Sequence, residues 1–395
     1  MIVQKAFKYR FFPTDAQSAQ LARTFGCVRF VYNQALDHRS KAWRQEKKSI
    51  NYHDTALKLT GWKKEPETAF LSEVSSVVLQ QSLLNLDTAF TNFFEKRAQY
   101  PKFKSRRHRQ SARYATNAFT FRDGRITLAK QSEPLDIVWS RPLPDDAKFL
   151  NLTVSLDTSG RYFVSVLVET DVKRLKKTKA EVGIDVGIKT LATTSDGEKL
   201  ENPRPLVKYE KRLRILQRRL SRKVKDSNNR KKARFKIARL HAKISDARRD
   251  TLQKFTMKII RENQAIFVEG LNVVGMLKHP NLARHIADAA FGEIFRELEY
   301  KAAWYGRTYF ALDKFFPSSK LCSSCGRLLD ELPLSIREWD CQICGAHHDR
   351  DINAAINIKK AGQDLRKLLK LPSRTPGKSR LREMSDCVQR RNPPP

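Results

Sequence analysis

The sequence predicts a chain of mixed class, with an α/β unit carrying an inserted metal knuckle in its C-terminal half. Its N-terminal half reads as a small β-barrel interrupted by a helical region. Three observations carry this prediction. Residues 3–11 and 152–168 alternate apolar and polar side chains with the period of half-buried strands, and a long run of helical periodicity lies between them. Two short apolar strands, VGIDV and AIFVEG, each hold an acid, Asp185 and Glu269. Two C-x-x-C pairs, Cys322 with Cys325 and Cys341 with Cys344, stand fifteen residues apart, the four-thiolate spacing that tetrahedral zinc accepts.

In chain order, Val3 to Phe11 form the first strand, which Pro13 stops. Thr14 and Gln17 have capping-box spacing for a helix whose apolar face continues through Leu21, Phe25 and Val28. Helical pattern persists past Trp43, breaks near Asn51, and runs on from Leu71 to Phe94. Tyr52 and Gln80 in this region could read base edges, although such residues on helices are usually plain surface or core. Residues 100–114 interleave aromatic rings with Lys102, Lys104, Arg106, Arg107 and Arg109, a composition suited to a nucleic-acid strand and also to a solvated basic loop. Residues 152–156 and 162–168 then make a hairpin across Thr158, Ser159 and Gly160.

A basic linker, 173–180, marks the domain boundary, and strands over 182–186 and 190–194 follow. Residues 207–260 read as a helical hairpin turning near 226–229. From Lys208 to Arg249 it carries eighteen basic residues, among them Arg212, Arg218, Arg219, Arg222 and Lys223, against three acids. Ordinary surface helices mix their signs, so this one is suited to tracking phosphates. A strand ending at Glu269, a helix over 288–305 closed by Gly306, and a strand over 307–313 lead into the knuckle. Asp349 and Asp351 then sit at the start of a helix, where negative charge is favoured. Beyond Gly362 the basic, proline-containing tail is expected to be largely disordered.

The chain has 395 residues with 77 Lys and Arg against 42 acids, a net charge of +35. That excess implies a polyanionic partner, and nucleic acid is the expected one. No run of eighteen apolar residues, signal-peptide core or lipidation motif is present, so no membrane partner is expected and the protein is placed in the cytoplasm, near the nucleoid. With four of six cysteines in the knuckle and Cys27 far from Cys387, metal is favoured over two disulfides. Asp185 inside an apolar strand is expensive to leave unpaired, and a cation is expected to meet it. Together with Glu269 and Asp351 it supplies the hard oxygen ligands that two-metal phosphodiester cleavage needs.

GIDVGIK, FVEGL, YKAAWYGR, FPSSKLCSSCG and DRDINAAINI together resemble the TnpB family, transposon-encoded RNA-guided nucleases ancestral to the type V CRISPR effectors. The resemblance covers nearly the whole chain. It implies a wedge β-barrel over 1–12 and 110–175, a helical recognition domain over 13–105, and a RuvC-type, RNase H-like nuclease over 176–320 and 347–362. The zinc insertion occupies 321–346, and a basic tail 363–395. It implies a catalytic triad of Asp185, Glu269 and Asp351 binding magnesium, two ions being expected, and structural zinc on the four cysteines. It further implies double-stranded DNA cleavage beside a short motif, guided by an RNA from the transposon end, with one chain per guide RNA. A DDE-type transposase working on free DNA ends, or a non-cleaving nucleic-acid-binding repressor, is the alternative. The intact acids would be idle in the second.

Overall fold

The computed structural model describes residues 1–368, so the expected tail from 369 onward, Cys387 included, lies outside the described residues. The described residues divide into two compact units, one formed by residues 2–171 and 225–239, the other by Met1, 172–224 and 240–368.

In the first unit β1 (Ile2–Phe12) leads into α1 (Asp15–Glu46), whose entry is fixed by the predicted capping box. Thr14 accepts the Gln17 N–H at 3.3 Å and the Gln17 side chain accepts the Thr14 N–H at 3.1 Å. Such a cap contributes about 1 kcal/mol. After the expected break come α2 (Tyr52–Trp62), a 3-10 segment over Pro66–Glu73, and α3 (Ser76–Phe94). The apolar pattern from Leu71 is therefore split between two elements. Strands β2 (Gln110–Ala115), β3 (Phe119–Arg122), β4 (Arg125–Leu128), β5 (Asp136–Val138), β6 (Lys148–Leu156) and β7 (Tyr162–Asp171) complete the unit.

Hydrogen bonding orders five of these strands β2-β6-β7-β1-β5, while β3 and β4 pair apart from them. The expected barrel is thus an antiparallel five-stranded sheet and a separate ribbon, with no hydrogen-bonded closure among the described residues. Inward side chains of β1, β6 and β7 share one core with the inner faces of α1 and α3. Gly160 turns the β6–β7 hairpin at φ 79°, and a Cβ there would lie 2.5 Å from the Phe235 ring, so both backbone and packing require glycine.

The second unit begins with β8 (Glu181–Asp185), β9 (Thr190–Thr194) and β10 (Lys199–Glu201). The predicted helical hairpin follows as α4 (Pro205–Ser221) and α5 (Asn228–Glu262), of which residues 228–239 belong to the first unit. Then come β11 (Ala265–Val268), short helices α6 (Val273–Met276) and α7 (Ala283–Ala289), α8 (Phe291–Tyr305) and β12 (Thr308–Ala311). The single helix expected over 288–305 is broken at Ala290, which sits at φ 56° between α7 and α8, while Gly306 caps α8 as predicted. Beyond the first C-x-x-C turn lie β13 (Glu338–Asp340), β14 (His347–Asp349) and α9 (Arg350–Leu368). Residues 363–368, assigned above to the disordered tail, are therefore the last turns of α9. The Gln363 amide donates to Glu181 at 2.7 Å and Arg366 pairs with Glu181 at 2.6 Å, which ties those turns to β8.

The sheet order is β10-β9-β8-β11-β12, antiparallel on the β10 side and parallel from β8 to β12. Helix α9 crosses it in unusually close contact. A Cβ on Gly183 of β8 would lie 2.1 Å from the Ala355 carbonyl oxygen, and one on Gly362 of α9 would lie 2.2 Å from the Phe267 ring of β11. Two glycines, one on the sheet and one on the helix, bring backbone and ring together where any side chain would separate them.

Candidate active site and metal-ligating clusters

Ile184 pairs with Val268 in the parallel β8–β11 register, so the next residue on each strand, Asp185 and Glu269, emerges at the same carboxyl edge. Neighbouring strands lie about 4.8 Å apart. The third acid arrives from α9, which runs antiparallel to β8 with Ala355 over Gly183. Asp351 is one helical turn before Ala355, about 6 Å along the helix, and Asp185 is two residues past Gly183, about 6.6 Å along the strand. The two steps match, and Asp351 is carried to Asp185.

Asp185, Glu269 and Asp351 are half-buried. Burial raises the Asp185 carboxyl well above its usual range, the charges of Glu269 and then Asp351 raise it further, and Arg350 opposes them. Burial also raises Glu269. Among the described residues the cation that acts on Asp185 is Arg350, whose Nη1 donates to the Pro333 carbonyl at 2.7 Å. The charge of each of the two acids weighs more on Asp185 than that of the arginine. Asp351 receives Arg337 at 3.4 Å.

Asp349 has a different job. Its Oδ1 accepts the N–H groups of Asp351 and Ile352, each at 3.0 Å, which caps the first turn of α9, and Lys199 on β10 pairs with its Oδ2 at 2.6 Å. Burial works against its charge, but Lys199 and the two N–H groups outweigh it and hold its carboxyl below the usual range. Lys199, Arg337 and Arg350 are site residues that spacing alone does not reveal.

The four cysteines converge. Cys322, Cys325, Cys341 and Cys344 place their sulfur atoms within 4.8 Å of one another, and among the described residues no other group of three or more ligating side chains does so. Cys322 and Cys344 are 3.7 Å apart, Cys325 and Cys341 3.6 Å, close to the edge of about 3.8 Å for a tetrahedron with 2.3 Å metal–sulfur bonds. The thiols therefore fit one tetrahedral ion. Gly326 and Gly345 turn each loop at positive φ and return their N–H groups to the Cys322 and Cys341 carbonyls. The N–H groups of Cys344 and Ile343 bring the Cys341 thiol down to about 6, which favours the ligating thiolate. His348, not singled out by the sequence, sets its Nε2 3.1 Å from the Cys322 sulfur.

The cysteine cluster is bound to the acid-bearing helix. Asn353 accepts the Ser323 N–H and donates to the Leu321 carbonyl, both at 2.8 Å, and Asn357, one turn on, donates to the carbonyls of Ser318 at 2.9 Å and Leu321 at 2.6 Å. The two asparagines of DINAAINI thus anchor α9 to the first knuckle.

The expected nucleic-acid contacts lie on both units. Lys102, Lys104, Arg106, Arg107 and Arg109 are exposed, Arg109 donating to Ser155 at 3.1 Å. Arg212, Arg218, Arg219, Arg222 and Lys223 are exposed on and just beyond α4. Gln80 is exposed on α3, whereas Tyr52 is half-buried and packs against the core of its unit. Among the described residues no helix is long and apolar enough to cross a membrane.

Residues 163–279 match the OrfB_IS605 family, described as a probable transposase, residues 291–358 a Cas12f1-like TNB domain, and residues 1–48 a helix-turn-helix domain. In this structure residues 1–48 hold one strand and one long helix. The chain is 55% identical over 361 residues, 91% of this chain and 90% of the other, to a protein of Streptomyces pristinaespiralis that carries the name of an RNA-guided DNA endonuclease. It is 35% identical over 380 residues, 91% of this chain and 92% of the other, to InsQ of Escherichia coli, which carries the same designation. Among solved structures it matches a Cas12f1 chain in a complex with single-guide RNA and target DNA, with a TM-score of 0.58 at 12% identity, covering 91% of this chain and 99% of that one.

Proposed function

The chain belongs to the TnpB family, and from that membership we propose that it is an RNA-guided DNA endonuclease, cutting double-stranded DNA beside a short motif under the direction of a transposon-end RNA. The β10-β9-β8-β11-β12 order, with a helix laid on the sheet, supports an RNase H-like, RuvC-type nuclease for residues 176–320 and 347–362. The observation that carries the catalytic reading is the meeting of three half-buried acids at one sheet edge, with the Asp185 carboxyl raised by burial and by the other two.

Asp185, Glu269 and Asp351 would hold divalent ions of the hard, magnesium type. When bound, such ions supply an activated water and neutralise the leaving oxygen of a phosphodiester. Asp185, whose charge is opposed by both other acids, is the residue that bound cations would relieve most. Arg337 restrains the Asp351 carboxylate, and Asp349 holds the helix start from which Asp351 projects. The four thiols would hold zinc as a structural ion. The net charge of +35 suits a protein that neutralises the phosphates of a folded RNA and of a heteroduplex, while base pairing supplies sequence information.

The test is redirection. Ribonuclease treatment before target addition should abolish specific cleavage in magnesium, and a guide with a new variable end should move the cut to a matching site beside the same motif. An RNA-free preparation that cuts or joins specific DNA would establish the DDE-type transposase instead. Sequence-specific binding with no cleavage under any guide would establish the repressor.

A further inference from the structure

Helix α1 contains a glycine that nothing within the protein requires. Gly26 has no left-handed φ, and a Cβ placed on it would meet no atom within 4 Å. Glycine inside a helix costs about 1 kcal/mol relative to alanine, so its presence here calls for a reason outside backbone conformation and internal packing. The bare backbone it leaves forms part of an open cavity of 540 Å³, whose wall includes Arg29, Phe30, Gln34, Phe70 and Phe103.

The cavity is aromatic, with one cation in its wall, Arg29, whose Nη1 donates to Gln110 at 2.7 Å, and a basic segment beside it. Phe30 and Phe70 stand edge to face with centroids 5.4 Å apart, and Phe70 is 39% and Phe103 60% exposed. Phe103 lies between Lys102 and Lys104 on the basic segment, and that segment is held in place rather than loose. The Asn33 side chain accepts the Lys104 N–H at 2.8 Å and donates to its carbonyl at 3.0 Å, and the Lys104 ammonium lies 3.8 Å from the Tyr32 ring centre. Asp37, an acid on the wall, is paired with Lys41 at 2.8 Å. Gln34 is exposed, leaving an amide that can both donate and accept.

Exposed rings, a polar edge and a fixed cationic segment match the three parts of a nucleotide: a π face, a hydrogen-bonding edge and a phosphate. We propose that this cavity receives one unstacked base of a single-stranded RNA segment, stacked on Phe103 and seated against the bare helix at Gly26. RNA is the expected source because folded RNA presents splayed, unpaired bases, whereas duplex DNA stacks its own. The proposal deepens the reading of the protein as RNA-bound, and its failure is separable from the failure of guided cleavage.

The experiment uses the full chain freed of copurifying RNA and a fluorescein-labelled single-stranded RNA of mixed sequence, with the same sequence as DNA beside it. Anisotropy titrations are run over a range of salt. Gly26→Leu fills the cavity without clash at its Cβ and with a better helix former, so its thermal midpoint should equal or exceed that of the parent. Its RNA affinity should nevertheless fall about tenfold, as should that of Phe103→Ala, with the slope against salt unchanged because no phosphate contact is lost. Lys102→Ala combined with Arg106→Ala should reduce that slope. Undiminished RNA affinity in either cavity variant, a loss confined to DNA, or a reduced slope in Gly26→Leu overturns the proposal. If Gly26→Leu does not fold, the surface variant Phe103→Ala decides alone. RNA binding through the cavity in a protein that cuts under no guide would sink the endonuclease reading and leave the cavity standing.

Discussion

The two ligand clusters of the α/β unit are built on opposite principles. The thiols come from two copies of one local device, a glycine-closed turn, and each turn satisfies its own backbone before any ion is considered. The carboxylates come from two strand ends and a helix, and their assembly raises the charging cost of Asp185. A cage whose four positions are filled by protein leaves an ion nothing to do but hold the fold. A half-buried group of acids, one of them raised by the other two, is on the proposed reading a group that ions and a phosphate would complete. On that reading one site is complete in itself and the other is completed by what it binds.

The largest way to break that comparison is to neutralise the acids. Asp185→Asn, Glu269→Gln or Asp351→Asn should each lower guided cleavage about a thousandfold or more, with RNA binding near the parent value, since several kcal/mol of transition-state stabilisation goes while the basic surface stays. Gel-resolved single-turnover cleavage measures it, and full activity in Asp185→Asn would remove that residue from the site. Next in size, Cys322→Ser should take bound zinc, measured by elemental analysis, from about one ion per chain to nearly none. Cleavage should fall with it through loss of the Asn353 and Asn357 anchors on α9. Magnesium alone should not restore it.

A smaller effect sharpens the comparison within DRD. Asp349→Ala should cost about 1 kcal/mol of stability through loss of the helix cap, and Asp349→Asn less, because asparagine caps nearly as well. The magnesium concentration for half-maximal cleavage should hold in both, whereas a large increase in Asp349→Asn would make Asp349 a metal ligand. Since the folded protein holds this carboxyl below its unfolded value, its stabilisation is present above the ordinary carboxylate range and lost as pH falls through the depressed value. Asp185 has the opposite sign. Its folded value is raised, so the metal-free protein loses stability as pH climbs from the ordinary carboxylate range through the raised one. Asp185→Asn should therefore raise the thermal midpoint of the metal-free protein at neutral pH by a modest amount while abolishing cleavage. A lowered midpoint would contradict this account of the site.

How much of this was legible in the sequence follows the range of each interaction. The knuckle is written in spacing and glycines within a few residues, and Cys322 to Cys344 are assembled as expected. Asp185 and Glu269 were marked by a local anomaly, a charge among Val182, Ile184, Ile266 and Phe267, which parallel pairing turns into adjacency. Partners that come from far along the chain left no such mark. Lys199 reaches Asp349, and Arg337 reaches Asp351 across the second knuckle, by tertiary placement alone. The kink at Ala290 was invisible because alanine is the best helix former, and only the left-handed backbone there interrupts the helix. Closure of the N-terminal sheet is not legible at all, because period-two alternation states which face of a strand is buried and says nothing of whether the sheet closes on itself.

The near-contact of Gly362 with the Phe267 ring has a consequence for how the sequence can change over time. Phe267 is two residues before Glu269, so a methyl group on α9 presses on the strand that carries a site acid. Volume gained at one position can be returned only at the other, and effects at touching positions do not add. Alanine at 362 is harmful beside phenylalanine and tolerable beside a smaller side chain, while the smaller side chain beside glycine leaves a hole. Both single steps between the two workable pairs lead downhill, and lineages of this protein should hold one pair or the other and seldom the mixtures.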